Sequence, residues 1–357
     1  MLDGIDPVTG RTFAVPLAAL AAALILFGIF VAIVGADPFG VYVSIYRAAF
    51  GSWFSWENTL VRAAPLMLIA LCTAIPAQLG LLVIGNEGAI VLGGLSAAVV
   101  GLAVSGSSQA LGIGAMALAS MATGAVFIAS VAALRHWRGI NETISSLLLA
   151  FLAFAVFDHL VQGPLRDPST FNYPGTYPID PNFKIGTIPG TEIHWGLAVG
   201  VVACVLTWAL VRRTTLGFAI RVTGGNVRAA QMVGLPVGAL SLISCALGGG
   251  AAGLAGMIEV AAVLDRASSA LHVGYGWSGI LVAFIARHNP LAIIPAAVLL
   301  GGIRASGGLL QRSHDLPDAT VIVFEGIVFL VVLWSETLYG RGLFLGFFKT
   351  MTRTRDG

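Results

Sequence analysis

Glu87 sits where a charged group most needs an explanation. It lies in Ile84-Gly85-Asn86-Glu87-Gly88-Ala89-Ile90, with apolar residues on both sides. A carboxylate inside hydrocarbon is costly, so it must face a cavity, a partner or a helix end. Gly85 and Gly88 permit a break in the helix, and an acid in a first turn is favoured by the macrodipole. Two readings stand: a pore-lining or gating group in a discontinuous helix, or a structural carboxylate that caps a re-entrant helix and pairs with a neighbour. Glu259, Glu325 and Asp158 lie in other apolar segments and read as satisfied packing or interface groups. Used as proton or sodium sites, Glu87, Glu259 or Glu325 would instead make the chain a secondary transporter. Asn141-Glu142-Thr143 reads as a helix start, with Asn141 the N-cap and the next two residues in the first turn. Ser145 and Ser146 follow it and could face a polar pathway.

Enzymatic constellations are missing. No GxSxG, HExxH or CxxC occurs, and His288, beside Arg287, has no second histidine at metal-ligand spacing. Cys72, Cys204 and Cys245 sit in apolar runs and read as small hydrophobes. The only lysines are Lys184 and Lys349, and neither follows the glycines of a P-loop. The chain therefore cannot cradle ATP by a Walker mechanism. It reads as non-catalytic and without a bound cofactor, so any ATP and Mg would belong to a partner subunit.

The elements that must position these residues are apolar helices. Of 357 residues, 57% are hydrophobic and 10% charged, and mean hydropathy is +0.91. A soluble domain carries about 25% charged residues. An all-α polytopic membrane protein follows, and a net charge of +2 gives no reason to expect nucleic acid as a partner. A crossing needs about 20 apolar residues. Candidate spans are 13–34, 60–78, 84–104, 110–134, 144–161, 193–211, 237–263, 278–285, 291–303 and 320–338. The short eighth and ninth meet at Arg287-His288-Asn289-Pro290, where a helix must break. The expectation is eight to ten membrane helices, some broken or re-entrant, in one domain over residues 1–357. The run from Phe13 exceeds the usual signal-peptide core of about 7–15 residues, so a retained first helix is expected.

Basic residues orient the chain. With the N-terminus in the cytoplasm, that side holds twelve: Arg11, Arg135, Arg138, Arg212, Arg213, Arg221, Arg228, Arg287, Arg341, Lys349, Arg353 and Arg355. The other side holds seven: Arg47, Arg62, Arg166, Lys184, Arg266, Arg304 and Arg312. Residues 163–190 then form an extracytoplasmic loop, either an ordered cap or a solvated linker. Residues 37–58, dense in aromatics, suit a segment lying in the membrane interface.

Residues 212–236 stand apart, polar and basic between two long apolar runs. Gly217, Gly224, Gly225 and Gly234 would bend the connection, and Asn226 to Val233 reads as a short helix. Arg221 and Arg228 would meet a soluble partner or lipid headgroups. A faint internal echo links Gly85–Gly88 with Gly274–Gly279: each opens an apolar segment that reaches a Gly-Gly pair. Such matching glycine-broken segments point to a translocation site and to a candidate inverted repeat, with Gly274 and Gly276 beside the pathway.

Five stretches together resemble permease subunits of bacterial ABC importers of the simple-sugar and nucleoside class. They are IGNEGAIVLGG from Ile84, RGINETISSLLLAFLA from Arg138, GPLRDP from Gly163, TTLGFAIRVTGGNVRAAQMVGLPV from Thr214, and GYGWSGILVAFIARHNPLAIIPAAVLLGGIRASGG from Gly274. The likeness is greatest to the nucleoside branch, which works with a basic-membrane-protein-type lipoprotein receptor. It implies a multi-pass subunit of the bacterial inner membrane, in the lipid bilayer with a second permease, identical or homologous. It further implies separate ATP-binding-cassette ATPase subunits and an extracytoplasmic receptor. Gly217, Arg221, Gly224, Asn226, Arg228, Ala229, Ala230 and Gly234 would couple to the ATPase. Gly85, Asn86, Glu87, Gly88, Ser145, Ser146, Gly274 and Gly276 would line or gate the pathway. The solute would be a nucleoside, a simple sugar being the alternative. Val83, Ala89 and Ala150 depart from the family pattern, each standing where a polar residue is usual.

Overall fold

The structure, a computed structural model, describes residues 7–170, 173–272 and 274–340, with side chains described from residue 20 to residue 335. Arg341, Lys349, Arg353, Arg355 and the side chain of Arg11 lie outside that range. The described helices are α1 (Pro7–Val34), α2 (Pro38–Phe50), α3 (Trp53–Ala77), α4 (Asn86–Ala103), α5 (Gln109–Arg138), α6 (Glu142–Gln162), α7 (Gly196–Arg213), α8 (Thr215–Gly225), α9 (Val227–Met232), α10 (Val237–Glu259), α11 (Tyr275–Ile285), α12 (Pro290–Ala305), α13 (Gly307–His314) and α14 (Ala319–Gly340). Seven helices are long and apolar enough to cross a membrane, or up to eight if the bent pair α1–α2 is one span. Two shorter apolar stretches, Ser269–Ile285 and Ala319–Ser335, add to these. The eighth candidate segment, expected to be short, is the eleven-residue helix α11.

The chain divides into two compact units: residues 1–51 with 303–357, and residues 52–302. In the first, α1 and α2 meet at 117°. Asp37 makes the corner, its carboxylate accepting from the N–H groups of Phe39 (3.1 Å) and Gly40 (2.8 Å), with Pro38 opening the helix. Phe27 stacks on Phe324 with ring centres 4.3 Å apart. Glu325 is buried and takes Arg304 in two hydrogen bonds of 2.9 and 3.4 Å. That pairing accounts for one carboxylate the sequence left open as an ion site. The aromatic segment 37–58 is α2 plus the first turns of α3, interrupted at Gly51-Ser52, with Phe39, Tyr46, Trp53 and Phe54 exposed.

The second unit is assembled on glycine. Without a strong hydrophobic drive between helices in lipid, association depends on close packing. A Cβ on Gly93 would lie 2.5 Å from the Cα of Gly253, and one on Gly249 would lie 2.7 Å from the side chain of Ile128. On Gly124, Gly253 or Gly256 it would collide with the backbone of Gly249, Ser120 or Ile90 respectively. Here α4, α5 and α10 touch backbone to backbone, and these glycines serve approach rather than flexibility.

Residues 163–170 and 173–195 are pinned to the unit. The N–H groups of Thr176, Ile179 and Ile185 donate to the carbonyls of Ala267, Asp265 and Ala261 at 2.8–2.9 Å. Lys184 pairs with Asp265 at 2.7 Å, and Phe183 is buried against Gly112. Asp167 accepts from the backbone and hydroxyl of Ser169 and faces Arg266, which holds its carboxyl below the usual carboxylate range.

Two predictions follow from this packing. Gly124→Val should lower the melting temperature of the purified protein by several degrees, since overpacking costs ~1–3 kcal/mol. Gly114→Val, where a Cβ meets open space, should not. Equal effects would contradict the backbone contact. Asp167 has a depressed folded pKa, so its contribution is present above about pH 3.9 and fades as pH falls through the folded value. Loop protection in hydrogen exchange should drop in that acid range, and Asp167→Asn should remove the dependence.

Candidate functional site

The polar residues of the apolar core converge where two helices begin. After α3 ends, Leu81 to Ile84 run extended into the protein before α4 starts at Asn86. Non-helical backbone at membrane depth must find its hydrogen bonds in protein or water. Here side chains supply them. Glu142 accepts from the N–H of Leu82 (3.5 Å), the Thr143 hydroxyl donates to the Leu82 carbonyl (2.9 Å), and the Ser146 hydroxyl accepts from the N–H of Ile84 (3.0 Å). The Thr73 hydroxyl donates to the Val83 carbonyl at 3.5 Å. The start of α6 thereby acts as a clamp. Asn141 caps it as expected, accepting from Thr143 and Ile144, and Glu142 is further fixed by an ion pair with Arg135. Ser146 holds backbone, and Ser145 donates to the Glu142 carbonyl at 3.3 Å.

Asn86 is fully buried and donates to Thr73 Oγ1 (2.8 Å) and the Ile69 carbonyl (3.4 Å). Those partners lie one and two turns back along α3, about 6 and about 12 Å from its end, which places the start of α4 inside the unit. Glu87, 1% exposed, reaches the start of α11. Its Oε1 accepts from the N–H of Gly274 at 2.8 Å and its Oε2 from that of Gly276. Four orphan N–H groups open every helix, and an acid there also complements the dipole. One carboxylate thus belongs to the first turn of α4 and caps α11 from outside. The two segments paired by the sequence echo are in contact.

The glycines of the junction are needed for space. A Cβ on Gly276 would lie 2.5 Å from the Glu87 nitrogen, one on Gly85 2.7 Å from the Ser146 carbonyl, and one on Gly88 2.8 Å from the Phe127 ring. Gly274 alone needs its conformational freedom, with φ +82. Gly85 stands at the break from which α4 starts, and both glycines let the chain press on α6. The departures Val83, Ala89 and Ala150 are all buried.

The two re-entries run in opposite senses. α3 crosses, the chain turns back through 78–85, and α4 begins at the junction and leads away. α10 crosses the other way, ends in a π turn at Val260–Leu264, and the chain returns through 265–274 to α11. At one end of this unit the ends of α3, α8 and α11 meet, Gln78 reaching the His288 carbonyl and Gly224 packing on the Gln78 backbone.

Residues 212–236 carry the short helices α8 and α9. Thr214 caps the first, accepting from Gly217 (3.1 Å), and Asn226 the second, accepting from Ala229 (3.0 Å). Gly217 and Gly224 lie within α8, not at bends. A Cβ on Gly217 would strike the end of α7, and one on Gly224 the Gln78 carbonyl. Gly234 makes the turn, with φ +80. Arg228 is exposed, Arg221 half-buried and Ala230 buried. Sequence reading missed two groups. Gln78 donates to the His288 carbonyl at 2.9 Å, tying the end of α3 to the end of α11. Met232 and Val233 are 82% and 72% exposed, an apolar tip on a polar segment. The signal for Gln78 was an amide at the end of an apolar run; Met232 and Val233 fell within the short helix expected over Asn226 to Val233, whose exposed face the sequence does not show.

Residues 55–333 match the model of the family described as branched-chain amino acid transport system, permease component. The chain is 31% identical over 335 residues to the glucose ABC transporter permease protein TsgB13 of Haloferax volcanii, covering 91% of this chain and 88% of that one. It is 26% identical over 329 residues to the guanosine ABC transporter permease protein NupP of Bacillus subtilis, covering 91% and 94%. It is 24% identical over 332 residues to the nucleoside ABC transporter permease protein NupB of Lactococcus lactis subsp. cremoris, covering 90% and 91%.

The junction gives a direct test. Glu87→Ala leaves two helix-start N–H groups without their acceptor, each worth ~1–3 kcal/mol when buried. A clear fall in melting temperature is expected, with Glu87→Gln intermediate because one oxygen still accepts. Wild-type melting of Glu87→Ala would refute the capping role.

Proposed function

We propose, for a chain that belongs to the permease-component family of ABC transporters, that it forms with a second permease subunit the pathway for a small polar solute, a nucleoside. As a multi-pass permease subunit it is not itself an ATPase. In this reading ATP and Mg bind separate cassette subunits, a receptor delivers solute from outside, and the setting is the bacterial inner membrane. The secondary-carrier reading gives way to the family match and to the engagement of Glu87 and Glu325 in structural contacts.

One continuous set of contacts carries the mechanism. Gly224 packs on the backbone of Gln78, whose side chain holds the turn after α11. The start of α11 is in turn held by Glu87. A displacement of α8 and α9 by a docked ATPase would therefore move α3 and α11 together and load the Glu87 junction. Alternating access requires two packings of the bundle that the ATPase binds with different affinity. Met232 and Val233 offer the apolar anchor for that contact, with Arg228 beside them, and Arg221, Asn226, Ala229, Ala230 and Gly234 shape the segment. Gly85, Asn86, Gly88, Ser145, Ser146, Gly274 and Gly276 frame the junction through which the push reaches the pathway.

Relatives named for guanosine and nucleosides support the solute class. The relative named for glucose, at 31% identity, keeps a simple sugar as the second reading. Uptake by the complete transporter separates them: labelled guanosine should accumulate, and excess glucose should not compete. Accumulation of glucose alone would replace the first reading by the second.

Met232→Asp and Arg228→Glu should each lower ATP-driven uptake by about tenfold or more, the usual size of an interface anchor. Membrane insertion and melting temperature should stay normal, because both side chains are exposed. Wild-type uptake by either variant would remove the docking role.

A further inference from the structure

We propose that Phe154 and His272 form a stacking platform for the planar base of a nucleoside, beside the Glu87 junction; this rests on the permease reading above and deepens it. The two rings lie 3.9 Å apart at 27°, a parallel stack between α6 and the strand of chain returning to α11. Phe151 meets Phe154 edge-on at 5.9 Å and 90°, fixing the plane of the pair, and is itself exposed. His272 precedes Gly274 by two residues, and Gly274 donates to the Glu87 carboxylate.

The imidazole is exposed, and among the described residues no hydrogen bond holds it. A polar ring left without a partner against lipid is disfavoured at this depth, so an aqueous pathway is the surrounding that suits it. Phe154 covers one face of the imidazole. A flat heterocycle on the other face would continue the stack, as base–aromatic stacking does wherever single bases are held. A sugar has no π face, so its apolar C–H face would gain less from the platform than a flat base.

The test uses the complete transporter in proteoliposomes, with labelled guanosine and labelled glucose as probes. His272→Ala should lower guanosine uptake by about tenfold, the order expected for one lost stack. His272→Phe should restore most of it, because the stack is kept while the nitrogens are lost. Glucose uptake, where the wild type shows any, should be the same in all three. Three results would overturn the proposal: unchanged guanosine uptake in His272→Ala, equal loss of both solutes, or failure of both variants to co-purify with their partners. A wild type that moves glucose but not guanosine overturns the nucleoside reading together with the platform. A wild type that moves guanosine while His272→Ala does so equally overturns the platform alone.

Discussion

The whole arrangement depends on one constraint: a peptide backbone that leaves helical form inside a membrane must still have its hydrogen bonds made. Residues 81–85 do this through Thr73, Glu142, Thr143 and Ser146, and the start of α11 does it through Glu87. Each of these side chains answers a specific orphan group. Their density at one place explains why so apolar a chain spends its few polar residues here. It also explains the joining of α4, α6 and α11, since satisfying the backbone of one requires a side chain from another.

That junction can exist only because the surrounding helices approach so closely. Gly276 against the Glu87 backbone, Gly85 against Ser146 and Gly256 against Ile90 are all contacts that a methyl group would prevent. Dispersion and backbone proximity replace the hydrophobic drive that water would supply to a soluble core. A core made this way has discrete packings rather than a soft continuum of them. Movement is then expected between α3, α11 and the coupling segment as bodies, not by bending within α4, α5 and α10, where backbone meets backbone.

Much of this was legible in the sequence, and the limits have physical causes. The polar island at 212–236, the cap at Asn141 and the break at 287–290 follow from composition and local hydrogen-bonding rules, which act over a few residues. Glu87 declared itself because a charge in an apolar run needs a reason. What it pairs with could not be read, because Gly274 lies 187 positions away and offers only backbone N–H, which leaves no mark on sequence. Sequence shows a missing side chain at each of these glycines without showing whether strain or a neighbour excludes it; of the glycines singled out, Gly274 and Gly234 are set by φ. Thr73 passed unnoticed since a threonine within an apolar helix ordinarily bonds its own backbone.

Those two kinds of site have different consequences for specificity. Backbone-satisfying side chains such as Glu87, Asn86 and Ser146 are committed to holding the fold, and a solute that displaced them would leave buried groups unpaired. They are therefore poor candidates for recognising one solute over another. The buried, apolar Val83, Ala89 and Ala150 make the same point: where the family pattern has polar groups, this chain has packing. Discrimination must fall to groups that face the pathway without structural duty, and to the receptor that selects before delivery. On the proposed reading a permease built so would divide its work: the junction would transmit displacement whatever the cargo, and exposed rings beside it would set which cargo passes.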